Sequence, residues 1–375
     1  MDPVLTPEMI HIGPRHYRKN ASKQCFVQSF PTSISQIEEV PDVEEVDIDE
    51  NDPETMEINR KIMVPPLFHK FIVGVQHSKK KLLEDEFRCY IDIPNSGSSS
   101  SMVSVTATSR FNVLNACRRI LWIVTDARNR CQPTHFICLP VTCPTVKDNF
   151  QTFKQSVLQA ASECSHDFMG VDSSIFHSVS TLHFTLVTLV LADESEVEKA
   201  CEILTTFYKS QRGIQLFASG PLQLTIKDLE YMNDDPTSVH VLYAKLMESS
   251  DSQRLQTIAN ELLNLLTEQN LTSTGSYRPD NNVKLHMTLL NSKYRQEKSN
   301  RDASFQGFSP NTRTSFSITG ILKIAGNFYF TENQSFHQIC LCDRLSFDSS
   351  TQFYKCCCKL KFTTDGIHCS HMNKM

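Results

Sequence analysis

Two short stretches of the chain alternate between apolar and polar positions and share one spelling. Leu182-His183-Phe184-Thr185-Leu186 returns as Leu285-His286-Met287-Thr288-Leu289. Each sits in a longer apolar run, 181–191 and 283–290, of strand length. Residues two apart in a strand share a face. His183 and Thr185 therefore point one way, with Leu182, Phe184 and Leu186 behind them. In the second copy Lys284, His286 and Thr288 share a face, with Val283, Leu285, Met287 and Leu289 behind. Two polar faces of the same chemistry predict one cleft with near two-fold symmetry.

Ahead of these motifs the pattern predicts β-α-α-β-β-α. A strand at 57–63 stops at Pro65-Pro66, and a short helix covers 67–73. Gly74-Val75-Gln76-His77 makes a tight turn into a helix at 78–87, with Ser78 as its N-cap. Strands at 89–93 and 102–106 flank a Ser-rich loop. A long helix at 110–128 carries Phe111, Leu114, Cys117, Leu121 and Val124 along one stripe.

From residue 133 the elements lengthen. The pattern predicts a strand at 135–140 and a helix at 146–163 with Phe150, Phe153, Val157 and Ala160 on one side. After the first motif come a helix at 195–209, strands at 222–226 and 240–247, and a helix at 251–269 with Leu255, Ile258, Leu262, Leu265 and Leu266 at helical spacing. The second motif is followed by late strands at 316–324 and 327–330. The fold class expected is α+β. Four segments result: 1–54 acidic and mostly disordered, 55–131, 132–330, and a Cys-rich extension at 331–375.

The paired motifs carry the candidate chemistry. Cleaving a phosphodiester requires a proton taken from the nucleophile and another given to the leaving oxygen. Two imidazoles can divide that work, since histidine titrates near neutrality. Two threonine hydroxyls can hold the non-bridging oxygens where charge develops. The candidate catalytic residues are His183, Thr185, His286 and Thr288, with Lys284 as a candidate phosphate contact. The scheme needs no metal and no cofactor. The loose pattern recurs at His368-Cys369-Ser370 and is discounted there, in a polar tail.

The paired His-x-Thr motifs resemble those of the 2H phosphoesterase superfamily, and the segment before them resembles a type I KH domain. Around them stand Tyr17-Arg18-Lys19-Asn20, Gly170-Val171-Asp172-Ser173-Ser174-Ile175-Phe176, Glu230-Tyr231-Met232-Asn233-Asp234-Asp235-Pro236 and Val241-Leu242-Tyr243-Ala244-Lys245. Together these resemble a family of subunits of a nuclear complex that contains a helicase. The resemblance spans most of residues 5–330 and fades in the tail. It implies a bilobal 2H-like α/β domain after the KH domain and metal-independent chemistry on RNA phosphodiester or cyclic-phosphate ends. It further implies a place in transcription coactivation and the response to alkylation damage, beside the helicase and other subunits. A non-catalytic adaptor that localises the helicase complex on nucleic acid is the alternative.

KH domains grip single-stranded nucleic acid through a Gly-x-x-Gly loop. Here Gly74, Val75, Gln76 and His77 occupy the loop, and a β-carbon at His77 should hinder close approach to phosphate. Basicity persists: residues 60–130 hold twelve Lys and Arg against five Asp and Glu, and Lys79, Lys80 and Lys81 follow the loop. Contact with RNA, or with single-stranded DNA, and a scaffold role both stay open. His135 is a further cleft candidate, and Tyr294 and Arg295 are candidates for stacking on a base.

The acidic stretch at 38–54 has ten Asp and Glu and no Lys or Arg, the signature of a solvated tail or a short docking segment. Fourteen cysteines show no regular framework, which suits free thiols in a reducing compartment. Cys340, Cys342, Cys356, Cys357, Cys358 and Cys369 crowd the tail with His368 and His371, without a standard zinc-finger spacing. The N-terminus lacks a signal-peptide pattern and no apolar run reaches membrane-spanning length. A nuclear protein, with a cytoplasmic pool open, is the expectation.

Overall fold

The computed structural model describes residues 57–95, 100–164, 166–272, 282–295 and 313–362, together with the backbone of short strands at 9–12, 15–18 and 369–371. The acidic stretch, Lys19-Asn20 and His368 lie outside the described residues.

Near the N-terminus β1 (Met9–Ile12) and β2 (Arg15–Arg18) form a hairpin. The KH unit follows as β3 (Ile58–Met63), α1 (Pro66–Val73), α2 (Ser78–Phe87), β4 (Tyr90–Asp92), β5 (Met102–Ala107) and α3 (Arg110–Arg130). Its antiparallel sheet runs β3-β5-β4. The β-α-α-β-β-α order expected from the sequence is the order found.

Two local expectations fail there. Of the expected α3 stripe, Cys117 and Val124 are buried, but Phe111 is 59% exposed and Leu114 and Leu121 are only half-buried; Val113, Ala116, Ile120 and Ala127 complete the buried row instead. Both rows have helical spacing, so periodicity alone does not choose between them. The sheet takes the row with the alanines, which lets the helix approach closely. Ser78 is not an N-cap but the first helical residue; the cap position is His77, at φ 62°.

The second unit is built on one nine-stranded sheet. Its elements are β6 (His135–Pro140), α4 (Pro144–Glu163), β7 (His183–Leu189), α5 (Glu194–Lys209), α6 (Gln211–Phe217), β8 (Leu222–Tyr231), β9 (Val241–Leu246), α7 (Ser250–Glu268), β10 (Met287–Asn291), α8 (Thr319–Ala325), β11 (Tyr329–Phe336), β12 (Gln338–Phe347), β13 (Tyr354–Lys361) and β14 (Cys369–His371). The order across the sheet is β11-β8-β9-β10-β7-β6-β12-β13-β14, antiparallel at every described pairing. The two expected lobes are thus the two halves of a continuous sheet, and β7 and β10 meet at its centre. α4, α5 and α7 bury their apolar stripes against one face, with Phe150, Phe153, Leu204, Leu255, Ile258 and Leu262 in the core.

Residues 316–324, rich in β-branched side chains, do not form a strand. Phe316 makes one bridge to Val239, and the helix α8 follows. Ile321 and Ala325 point inward one turn apart, and Gly320 sits so close to Phe168 that a Cβ would meet its ring at 2.4 Å. Packing overrides strand propensity. The boundary expected at residue 330 also falls inside a strand. β11 runs through it, and β12 and β13 join the first half of the sheet beside β6.

Candidate active site

On β7 and the approach to β10 the alternation sets the faces. His183, Thr185, His286 and Thr288 are half-buried, while Leu182, Phe184, Leu186, Met287 and Leu289 are buried behind them. Phe184 and Met287 are direct partners in the antiparallel ladder. Side chains flanking such a pair lie beside one another on the other face. That pairing sets Thr288 beside His183 and His286 beside Thr185, so the two motifs form one patch with histidines on one diagonal and threonines on the other.

Both imidazoles are fixed in the same way. His183 Nδ1 donates to the Thr181 carbonyl at 2.7 Å, and His286 Nδ1 donates to the Lys284 carbonyl at 2.7 Å. A carbonyl only accepts, so each Nδ1 carries a proton, and Nε2 is the nitrogen of each ring that can gain or lose one. The segment leading to His286 is not strand, although 283–290 reads as one. It is extended chain clamped by α7, where Val283 N donates to Asn260 Oδ1 at 3.0 Å and Gln256 Nε2 donates to the Val283 carbonyl at 2.9 Å.

Aromatic rings wall the patch. Phe136 of β6 and Tyr354 of β13 have centroids 5.0 and 5.6 Å from that of His183. Tyr243 of β9 meets His286 edge-on at 5.2 Å. Burial among these rings pushes His183 down to about 3, and the nearby His177 and His286 push the same way. The ring is therefore neutral at physiological pH, with Nε2 free to accept a proton. Beside Phe136, four thiols pack on the same face of the first half-sheet: Cys138, Cys340, Cys342 and Cys356, with Cys138 and Cys342 sulfurs 3.9 Å apart. Burial raises the Cys138 thiol, and contact with its neighbours raises those of Cys340, Cys342 and Cys356. Among the described residues no group of three or more His, Cys, Asp or Glu is placed to hold a metal ion; His368, Cys369 and His371 have no described side chains.

Other candidates land elsewhere. Lys284 Nζ lies 4.8 Å over the Tyr243 ring and 3.9 Å from Glu230, at the edge of the patch. His135 pairs with Leu189 at the far end of β7 from His183 and shares its Nδ1 with Thr134 Oγ1, so it does not line the cleft. Tyr294 and Arg295 are not free to stack on a base. The Tyr294 hydroxyl lies 2.6 Å from His177 Nδ1, and Arg295 pairs with Asp172 at 3.1 Å. His177, Phe136 and Tyr354 were not candidates from the sequence. A lone histidine in a polar stretch and aromatics in remote strands give no local signal.

At the KH loop Gly74, Val75, Gln76 and His77 keep a tight turn. Gln76 and His77 both adopt left-handed backbone, at φ 49° and 62°, positions where glycine is usual. Lys79 and Lys81 are exposed, whereas Lys80 is 3.6 Å from Glu84 and lies over Tyr90 at 5.1 Å.

Comparison with known proteins agrees with this division. A KH domain model matches residues 59–121, and the AKAP7 2'5' RNA ligase-like domain model matches residues 133–362. Activating signal cointegrator 1 complex subunit 1 of Mus musculus is 31% identical over 366 residues, covering 94% of this chain and 98% of that protein. Two solved structures are more loosely alike. TT0787 of Thermus thermophilus has a TM-score of 0.35 and 13% identity, covering 62% of this chain and 99% of that one. E. coli LigT in apo form has a TM-score of 0.32 and 16% identity, covering 65% and 96%. The chain belongs to the activating signal cointegrator 1 complex subunit 1 family, with a KH domain followed by an AKAP7 2'5' RNA ligase-like domain.

Proposed function

We propose that the protein is an RNA-associated 2H-type phosphodiesterase that acts on RNA phosphodiester or cyclic-phosphate ends without a metal. One observation carries this: two His-x-Thr motifs, 103 positions apart in the chain, lie side by side with both Nδ1 atoms anchored alike. One imidazole takes the proton of a ribose hydroxyl or a water as that oxygen bonds to phosphorus. The other protonates the leaving oxygen as its bond to phosphorus breaks. Thr185 and Thr288 donate to the non-bridging oxygens. Lys284, at the edge of the patch, adds a cation toward phosphate.

The relative's name supports a place as a subunit of an activating signal cointegrator 1 complex; we extend this to a nuclear coactivator complex, with a helicase and other subunits as partners in the response to DNA alkylation. On this reading the KH domain delivers RNA, and the protein is nuclear with a cytoplasmic pool. A second reading, a non-catalytic adaptor, draws on the KH loop, which keeps its turn and its exposed lysines. Purified protein incubated with short RNAs bearing 2′,3′-cyclic, 3′-phosphate or 2′,5′-linked ends separates the two. Turnover that persists in EDTA and is lost in His183→Ala and His286→Ala supports the enzyme. No turnover, with partner pull-down unchanged in the double variant, favours the adaptor.

A further inference from the structure

His177 stands beside the first motif without being part of it. It is 7% exposed. Its main-chain N–H bonds the Leu289 carbonyl at 2.8 Å, which pins it to β10 next to Thr288. Its Nε2 lies 3.0 Å from the Thr181 carbonyl, the oxygen that also receives His183 Nδ1–H at 2.7 Å. Its Nδ1 lies 2.6 Å from the hydroxyl of Tyr294, just past β10. The His177 and His183 rings are 5.8 Å apart between centroids.

One tautomer serves all these contacts. The Thr181 carbonyl cannot donate, so Nε2 of His177 carries the proton; Nδ1 is then a lone pair and accepts from Tyr294 O–H. Burial holds His177 below the ordinary histidine range, so it stays neutral. Two imidazole N–H groups thus converge on one carbonyl. Together they fix the orientation of that peptide, and with it the ring plane of His183. The His286 side is furnished differently, with Tyr243 edge-on and Lys284 alongside.

We infer that His177 and Tyr294 are positioning residues that divide the labour of the two motifs, holding His183 as the proton acceptor and leaving His286 as the donor. This rests on the phosphodiesterase reading. Nε2 of His183 takes the proton of the attacking hydroxyl, whose oxygen bonds to phosphorus. The bond from phosphorus to the leaving oxygen breaks, and that oxygen takes the Nε2 proton of His286. The titratable groups facing the two rings are Tyr294 after β10, His286 before it and Tyr354 on β13.

The test uses the full chain as wild type, His177→Phe, His177→Gln and Tyr294→Phe. Long-range proton–nitrogen NMR of labelled histidine reads tautomers without turnover. His183 is expected as a single Nδ1–H tautomer in the wild type and as a mixture in His177→Phe. Rates on a 2′,3′-cyclic nucleotide give the second readout. His177→Phe should lower kcat/KM roughly 10²-fold and move the acid limb of its pH profile toward neutrality. His177→Gln, whose amide can still donate to Thr181, should keep the limb where it is. Tyr294→Phe should move it in the same direction as His177→Phe, by less. A folded His177→Phe with an unchanged His183 tautomer, or a rate loss equal at all pH, overturns the assignment. Should His177→Phe not fold, Tyr294→Phe with an unmoved limb does so. A wild type with no turnover defeats the phosphodiesterase reading instead, and the tautomer measurement still decides whether His177 positions His183.

Discussion

His183 and His286 are anchored as mirror copies: each ring donates Nδ1–H to the carbonyl two residues upstream, at 2.7 Å in both cases. Anchoring at Nδ1 leaves Nε2 as the working nitrogen of each ring. Removing either ring removes one proton transfer of two. His183→Ala and His286→Ala should each lower turnover by roughly 10²–10⁴-fold while the far-ultraviolet circular dichroism stays that of the wild type. A variant with near wild-type turnover would show that its ring is a bystander.

The low position of His183 has a consequence for stability. It lies at about 3 in the folded protein, chiefly through burial, against about 6.5 for an unperturbed histidine. Between those values the unfolded chain binds a proton that the folded chain does not. Stability therefore falls as pH drops through this window and is unaffected by this group above it. Burial lowers His177 and His135 as well, with the same sign. His183→Gln should make the fall in Tm between pH 6.5 and 4 shallower than in the wild type. An unchanged slope would mean that His183 is not held below the ordinary histidine range in the folded protein.

The threonines act at a different point. Thr185 and Thr288 sit on the half-buried face, each beside the histidine of the other motif. Threonine to valine keeps the shape and the strand preference and removes the donor. Thr185→Val and Thr288→Val should each cut kcat by roughly 10²-fold, with a smaller change in KM. A rise in KM alone would assign the hydroxyls to ground-state binding.

The motif faces were legible because a two-residue period is local and forced by the backbone. Repetition points to one shared cleft, but that the two motif strands are neighbours, and in which register, depends on long-range pairing that no local pattern encodes. The tail failed for another reason. In β12, Ile339 and Leu341 face the helices while Cys340 and Cys342 face Phe136, so both faces are apolar and the strand shows no alternation. Counted as possible metal ligands, those cysteines concealed an inner strand of the sheet; counted as the small buried residues they are, they would have shown it. α3 carries two rows at helical spacing, and only the sheet beneath it selects one.

The KH loop can be examined by giving it back its glycine. His77 sits at φ 62°, a conformation that costs an ordinary residue about 1–2 kcal/mol. Part of that strain is offset in His77→Gly by the greater freedom of glycine when unfolded. His77→Gly should bind single-stranded RNA more tightly, since the backbone can then approach a phosphate. Lys79→Glu with Lys81→Glu should weaken binding and flatten its salt dependence, because these two are exposed, whereas Lys80 is drawn to Glu84. Fluorescence anisotropy across a salt series reads both. Equal affinities in all three proteins would move RNA contact away from this loop.

The two units are joined by a buried ion pair. Arg128, in the last turn of α3, is 5% exposed and reaches Glu196 of α5 through both terminal nitrogens, at 2.8 and 2.5 Å. It also donates to the Val190 carbonyl and lies 4.6 Å over the Phe68 ring. Val190 packs into the KH core, so this point is shared by both units. Arg128→Ala leaves the Glu196 carboxylate with the Ala192 N–H, at 2.7 Å, but without its cation. Breaking such a pair typically costs about 3–5 kcal/mol. Urea unfolding of Arg128→Ala should show that loss, with the KH unit melting ahead of the nine-stranded sheet. Arg128→Met combined with Glu196→Gln should recover much of it, since no charge is then stranded. A loss below about 1 kcal/mol, the range of an exposed pair, would mean that apolar packing around Val190 alone holds the two units together.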